Sequence, residues 1–279
     1  MIIRKNEILT SDNKKPILYD VYYNETEQPQ PVVIFCHGYK GFKDWGAWHL
    51  VAEAFAKAGF CFLKFNFSHN GGTVKEPIDF PDLEAFAENN FSLELDDLDR
   101  ILNEIEKGNN NLPKKISTIF LIGHSRGGGI VLIKAEEDKR IQKVITWASV
   151  SDFRARFQEG TDSFNTWKET GVTHVENSRT KQMLPHNFQF YLDFKENEDR
   201  FTISRAVKNL KISQLIVHGS EDPTVSLKEG KAIHSWNSKS ELKIIDGADH
   251  VFNAKHPWEE NNLPKLLEET VAATIDFLK

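Results

Sequence analysis

Three side chains far apart in the sequence could together attack a carbonyl carbon: Ser125, Asp222 and His250. Ser125 lies in IFLIGHSRGGG (119–129), where four glycines crowd one hydroxyl directly after an apolar run. GHSRG fits G-x-S-x-G between a strand and a helix, which requires a sharp turn with the serine at its apex. A side chain at position 123 or 127 would crowd that turn, and Gly128 and Gly129 let the next helix pack closely on the sheet. The hydroxyl then projects at the carboxyl edge of a strand, where open α/β sheets carry their sites.

An alcohol ionises far too weakly near neutrality to attack unaided, so Ser125 needs a base. His250, in IIDGADHVF (244–252), is the candidate base. Asp222, in LIVHGSEDPTV (215–225), is the candidate acid that orients it, with Pro223 fixing the turn. Glu221 is a weaker candidate. Asp246 and Asp249 could compete, but a residue adjacent in sequence to His250 is poorly placed to reach its ring. Two backbone N–H groups are expected to bind a developing oxyanion: that of Arg126, opening a helix, and that of Tyr39 in HGYKG (37–41).

Other polar residues carry plainer readings. His124 is expected to be structural, His218 to pack at a strand end, and His37 to shape the loop holding Tyr39. His49, His69, His174, His186, His234 and His256 carry no interpretable signal. Lys40 and Lys43 are read as surface lysines that could favour an anionic substrate. Cys36 and Cys61 sit in apolar runs and are read as buried thiols, a disulfide being the other reading. No CxxC or His/Cys cluster has metal-ligand spacing.

The elements that must position these groups alternate strand and helix. Apolar runs at 31–38, 59–67, 116–123, 143–149, 214–219 and 241–246 read as strands. Helices are expected from Trp45 to Ala58, from near Ser125, and from Leu263 to Leu278. Leu98, Ile101, Leu102 and Ile105 mark one helical face. Residues 76–90 read as a loop with short helical pieces. Strands separated by helices imply a mostly parallel sheet covered on both faces.

Residues 151–205 break this rhythm. They show no clear strand and are rich in charge and aromatics, among them Phe153, Phe157, Phe164, Trp167 and Phe190. The segment is read as a mostly helical cap inserted into a core of residues 1–150 and 206–279. Its aromatics either glue the cap down or line an apolar pocket.

Composition narrows the function classes. Of 279 residues, 39% are hydrophobic and the net charge is −6, an ordinary balance that argues against a nucleic-acid surface. No run approaches a membrane span, and the N-terminus lacks an apolar stretch of signal-peptide length, so a cytoplasmic location is expected. Oligomeric state is left open, a homodimer included.

At the quoted motifs, together with FCHGYKGFKDWG (35–46) and NFSHNGG (66–72), the sequence resembles the α/β-hydrolase superfamily across nearly its whole length. The branch it is most similar to is the dienelactone-hydrolase-like and serine-aminopeptidase-like one, which includes capped cinnamoyl (feruloyl) esterases. The resemblance implies an eight-stranded, mostly parallel sheet and cofactor-free acyl hydrolysis. It also implies catalytic roles for Ser125, Asp222 and His250, and oxyanion donors at Tyr39 and Arg126. True dienelactone hydrolases use a cysteine nucleophile, so serine at 125 makes that label one of fold rather than substrate.

The expected activity is a serine carboxylesterase acting on a small-molecule ester. The rivals are a peptidase of the prolyl-oligopeptidase or aminopeptidase type, or an acyl thioesterase. A peptidase would need cap carboxylates to hold the substrate amine, for which Glu159, Asp162, Glu169, Glu176, Asp193 and Glu196 are candidates.

Overall fold

The computed structural model describes residues 1–279. The chain opens with a hairpin, β1 (Ile2–Ser11) and β2 (Lys14–Tyr23), then β3 (Gln30–Cys36), α1 (Trp48–Lys57) and β4 (Cys61–Phe65). Next come α2 (Leu83–Glu88), α3 (Phe91–Lys107), β5 (Ile116–His124), α4 (Arg126–Glu137) and β6 (Ile141–Trp147). After β6 follow α5 (Asp162–Thr170), β7 (Val172–Glu176), β8 (Met183–Asn187), α6 (Gln189–Glu196) and α7 (Ile203–Asn209). The chain closes with β9 (Ser213–Gly219), α8 (Leu227–Trp236), β10 (Glu241–Ile245) and α9 (Lys265–Leu278).

Eight strands form one sheet in the order β1-β2-β4-β3-β5-β6-β9-β10. β2 runs antiparallel to β1 and β4, and the strands from β4 to β10 are parallel. Both faces of the central strands are apolar because both are covered. Val32, Ile34 and Cys36 of β3 pack toward α3 and α4, whereas Val33 and Phe35 pack toward α1 and α9. The helical face expected on α3 is buried, and its ends are set locally: the Asn90 side chain accepts from the Leu93 N–H, and Gly108 ends the helix at φ 71°. Cys36 and Cys61 are buried free thiols. No helix is long and apolar enough to cross a membrane.

Three expectations change. Residues 151–205, expected to hold no strand, contain β7 and β8, which pair antiparallel outside the main sheet, with Thr173 opposite His186. Their sequences, VTHVE and MLPHN, are polar and face largely outward, so neither an apolar run nor clean alternation announces them. Helix α7 begins inside that range, yet Ile203, Ala206 and Val207 pack in the main core.

Lys43 is not a surface lysine. Its side chain is 1% exposed, and its ammonium lies 2.8 Å from Asp20 and 2.6 Å from Asp44. Lys64, on β4, pairs with the same two carboxylates, each at 2.6 Å. Two cations and two anions thus neutralise each other where the loop after β3 crosses β2 and β4. A buried charge is tolerated only when paired in this way.

Candidate active site

Ser125 stands between β5 and α4 with φ 55° and ψ −121°, a left-handed conformation that costs a non-glycine residue energy. Its N–H donates to the Trp147 carbonyl at 2.9 Å, and its carbonyl accepts from the Gly128 N–H at 3.0 Å. The glycines around it answer to close approach. A Cβ on Gly123 would lie 2.3 Å from the Gly127 carbonyl oxygen, and one on Gly127 would lie 2.5 Å from the carbonyl oxygens of both Cys36 and His37. Gly128 and Gly129 serve a different contact from the expected one. They press on Ser149 and Phe153, in the segment leaving β6, rather than on the sheet itself.

The expected base and acid, His250 and Asp222, arrive on loops after β10 and β9. His250 Nε2 lies 3.0 Å from Ser125 Oγ, and His250 Nδ1 lies 2.8 Å from Asp222 Oδ2. Asp222 is held from several sides. Oδ1 accepts the N–H groups of Thr224 and Val225, each at 2.8 Å, and His218 Nε2 stands 3.5 Å from Oδ2. Burial alone would raise its pKa. The hydrogen bonds from His250 and the Val225 N–H, with the His218 ring close by, outweigh that and hold the carboxyl well below the usual range. Asp249 is spent on its own turn, accepting from the N–H groups of Val251 and Asn253, and Asp246 accepts from Ser220.

The neighbouring histidines are scaffold. His124 Nε2–H donates to the His250 carbonyl at 2.9 Å, fixing the backbone that carries the base. Burial pushes its pKa down to about 3. His218 Nε2–H donates to the Val225 carbonyl at 2.8 Å and closes the acid loop. His37 uses both ring nitrogens: Nδ1–H donates to the Gly38 carbonyl, and Nε2 accepts from the Phe67 N–H. Burial lowers its pKa to about 4.

The loop after β3 lies directly against the nucleophile. A Cβ on Gly38 would sit 2.8 Å from Ser125 Cβ. The Tyr39 N–H donates to no protein group. Arg126 is the first residue of α4, so its N–H has no acceptor within the helix. Both expected oxyanion donors thus flank Ser125 with unspent N–H groups.

Ser125 opens into a cavity of about 420 Å³ lined mainly by apolar and aromatic side chains. Phe153, Phe157, Phe164, Trp167 and Phe190 line it, while Phe194 and Phe201 pack behind in the core. Both readings of the aromatics therefore hold, for different rings. None of the six cap carboxylates weighed as an amine site is among the lining residues. No group of three or more histidine, cysteine or carboxylate side chains is arranged to hold a metal.

Two lining residues escape sequence reasoning. The Arg126 side chain pairs with buried Glu94 at 2.6 Å and lies 4.9 Å from the Tyr39 ring centroid. His186, from β8, bonds the Tyr39 hydroxyl. Burial first, then the Arg126 and Lys40 cations, pushes the His186 pKa down to about 3. Nothing around His186 in the sequence marks it.

No curated protein matches the sequence. Among solved structures, the chain is similar to Est1E from Butyrivibrio proteoclasticus, with 15% sequence identity and a TM-score of 0.74, covering 99% of this chain and 98% of that one. Est1E with bound ferulic acid matches at 17% identity and a TM-score of 0.70, covering 98% and 97%. The esterase domain of a Rhodothermus marinus protein matches at 18% identity and a TM-score of 0.67, covering 99% and 98%. These likenesses establish a shared fold from end to end. The family model described as alpha/beta hydrolase fold matches residues 31–173, just over half of the chain, and the protein belongs to that family.

Proposed function

We propose that this protein is a serine hydrolase that cleaves a carboxylic ester through an acyl-enzyme. The observation that carries the reading is the continuous relay from Asp222 through His250 to Ser125, with steps of 2.8 and 3.0 Å. His250 takes the Ser125 proton as Oγ attacks the ester carbonyl. Asp222 holds the imidazole with Nδ1 protonated and stabilises its charged form. The N–H groups of Tyr39 and Arg126 bind the oxyanion. His250 then protonates the leaving alcohol, and afterwards activates a water to clear the acyl group.

Residues 151–205, apart from the start of α7 at Ile203, act in this reading as a cap over a core of 1–150 and 206–279. Its aromatic rings favour an aryl or medium-length acyl group. The lack of a carboxylate in the cavity lining favours an ester over a peptide with a free amine. The partner is a small molecule, not a nucleic acid or a membrane. Ferulic acid bound to the structurally similar Est1E is consistent with an aromatic acid fitting under such a fold.

The test is hydrolysis of p-nitrophenyl esters from acetate to decanoate by the protein and by Ser125→Ala. Turnover is expected to fall by roughly ten-thousand-fold or more in the variant. Absence of turnover in the folded wild type would overturn the ester reading and direct the search to acyl thioesters and aminoacyl amides.

A further inference from the structure

The Tyr39 side chain ties the proposed oxyanion site to the cap. Its hydroxyl lies 2.7 Å from His186 Nε2, on the cap hairpin. His186 is itself fixed, because its carbonyl accepts the Trp167 indole N–H at 2.8 Å. The Tyr39 ring carries the Arg126 guanidinium 4.9 Å from its centroid, and that guanidinium is anchored by buried Glu94. A side-chain chain therefore runs from Glu94 on α3, through Arg126 and Tyr39, to His186. It includes both residues whose N–H groups are read as oxyanion donors.

The backbone it braces is a strained one, held from both sides. Lys40, next to Tyr39, sits at φ 56°, a left-handed conformation unfavourable for lysine. The peptide carrying the Tyr39 N–H is held from the core through its carbonyl, because Gly38 O accepts from His37 Nδ1–H at 2.9 Å and from the Gly41 N–H at 3.0 Å, and the Tyr39 side chain gives the cap its own hold on the same residue. An oxyanion donor helps only if aimed to within about half an ångström, which requires its residue to be locked by packing and hydrogen bonds.

We propose that His186 is a positioning residue: through the Tyr39 hydroxyl, the cap aims the Tyr39 N–H at the oxyanion, so the core's chemistry depends on the docked cap. This rests on the reading of Tyr39 as an oxyanion donor in a serine hydrolase. Losing an oxyanion donor outright costs about 100- to 1,000-fold in kcat, and a misaimed donor should cost less, about tenfold.

The experiment compares His186→Ala, His186→Gln, Tyr39→Phe and the Tyr39→Phe/His186→Ala double variant on p-nitrophenyl acetate, whose acyl group is too small to fill the cavity. Thermal unfolding checks each fold. His186→Ala and Tyr39→Phe should each lower kcat about tenfold with KM changed less than about twofold. The double variant should be no slower than either single one, and glutamine at 186, which can still bond a hydroxyl, should recover much of the rate. Additive losses, a loss confined to KM, or unchanged kcat in folded variants would overturn the proposal. Tyr39→Phe removes a single oxygen and keeps the test decisive if His186→Ala does not fold. If wild type hydrolyses no ester, the rate at which a fluorophosphonate labels Ser125 replaces kcat, since the phosphoryl oxygen needs the same donors. Slower labelling in both single variants would uphold the brace while the ester reading fails, and equal labelling would sink the brace alone.

Discussion

The two walls of the site are built on different principles. On the core side, Ser125, Asp222 and His250 sit on tight turns whose backbones are pinned by neighbouring carbonyls and N–H groups. On the cap side, the wall is a cluster of aromatic rings from separate segments, with Phe91 and Phe153 stacked at 4.0 Å and Phe157 edge-on to Phe190 at 5.2 Å. The first wall tolerates almost no change of atom. The second requires volume and apolarity more than any one residue. In the proposed function, chemistry is thus concentrated where geometry is fixed, and substrate choice where it can be retuned.

The largest expected break in that contrast is on the core wall. Asp222→Asn should keep the loop but misorient the imidazole, lowering kcat by about a thousand- to ten-thousand-fold, whereas Asp249→Asn should change kcat little. Parallel kinetics on the two variants check this. Comparable losses in both would mean the acid has been misassigned.

Acid should strike both walls. His37 and His124 in the core and His186 in the cap have pKa values depressed to about 4, 3 and 3 from an ordinary 6.5. Burial is the first cause in each. The unfolded chain binds protons below pH 6.5 that the native one refuses, so the stability these groups contribute is full above that pH. It is lost progressively as pH falls toward 4 and 3. Urea unfolding should show a loss of a few kcal/mol between pH 7 and pH 5, and His186→Gln should flatten part of that slope. A slope unchanged by that substitution would remove the cap's share.

Gly127→Ala should destabilise the fold by about 3 kcal/mol, because a Cβ there meets two backbone oxygens that cannot rotate away. Denaturant midpoints check it, and a near-neutral result would show an elbow more yielding than its spacing implies. The smallest effect belongs to the cap. Phe164→Ala should shift the ratio of kcat/KM for octanoate over acetate by about tenfold, one side chain's worth of apolar burial, and should also lower thermal stability, because the ring is buried against Trp167, Phe188 and Tyr191. An equal loss on both esters would mean that this ring shapes the chemistry as well.

The core wall was legible in the sequence because local constraints write it. Gly123, Gly127 and Gly38 are glycine for reasons of a few ångströms, and Asp222 and His250 follow strands that apolar runs betray. The cap wall was legible only as a supply of aromatic rings in residues 151–205, several of which do line the cavity, and not in its polar pairings. His186 bonds Tyr39, 147 positions away, and Arg126 finds Glu94, 32 away, and no motif or periodicity encodes either pairing. The β7–β8 pair went unread because polar strands outside the core carry no apolar signature. The opening β1–β2 hairpin also went unassigned from the residues themselves. β1 is an edge strand facing largely outward, and β2 places a charged Asp20 in an otherwise buried run.

That aspartate bears on how portable the fold's parts are. The family match starts at residue 31, beyond the hairpin, which invites treating the first two strands as a detachable trim. Yet Asp20 is one of only two carboxylates balancing Lys43 and Lys64, and Lys43 shares its loop with Tyr39. Grafting this domain without its hairpin, or with a hairpin that has no carboxylate at this place, would strand a surplus ammonium group beneath the loop that carries Tyr39. The module that must travel together is therefore larger than the stretch the family signature outlines, and position 20 is its true upstream border.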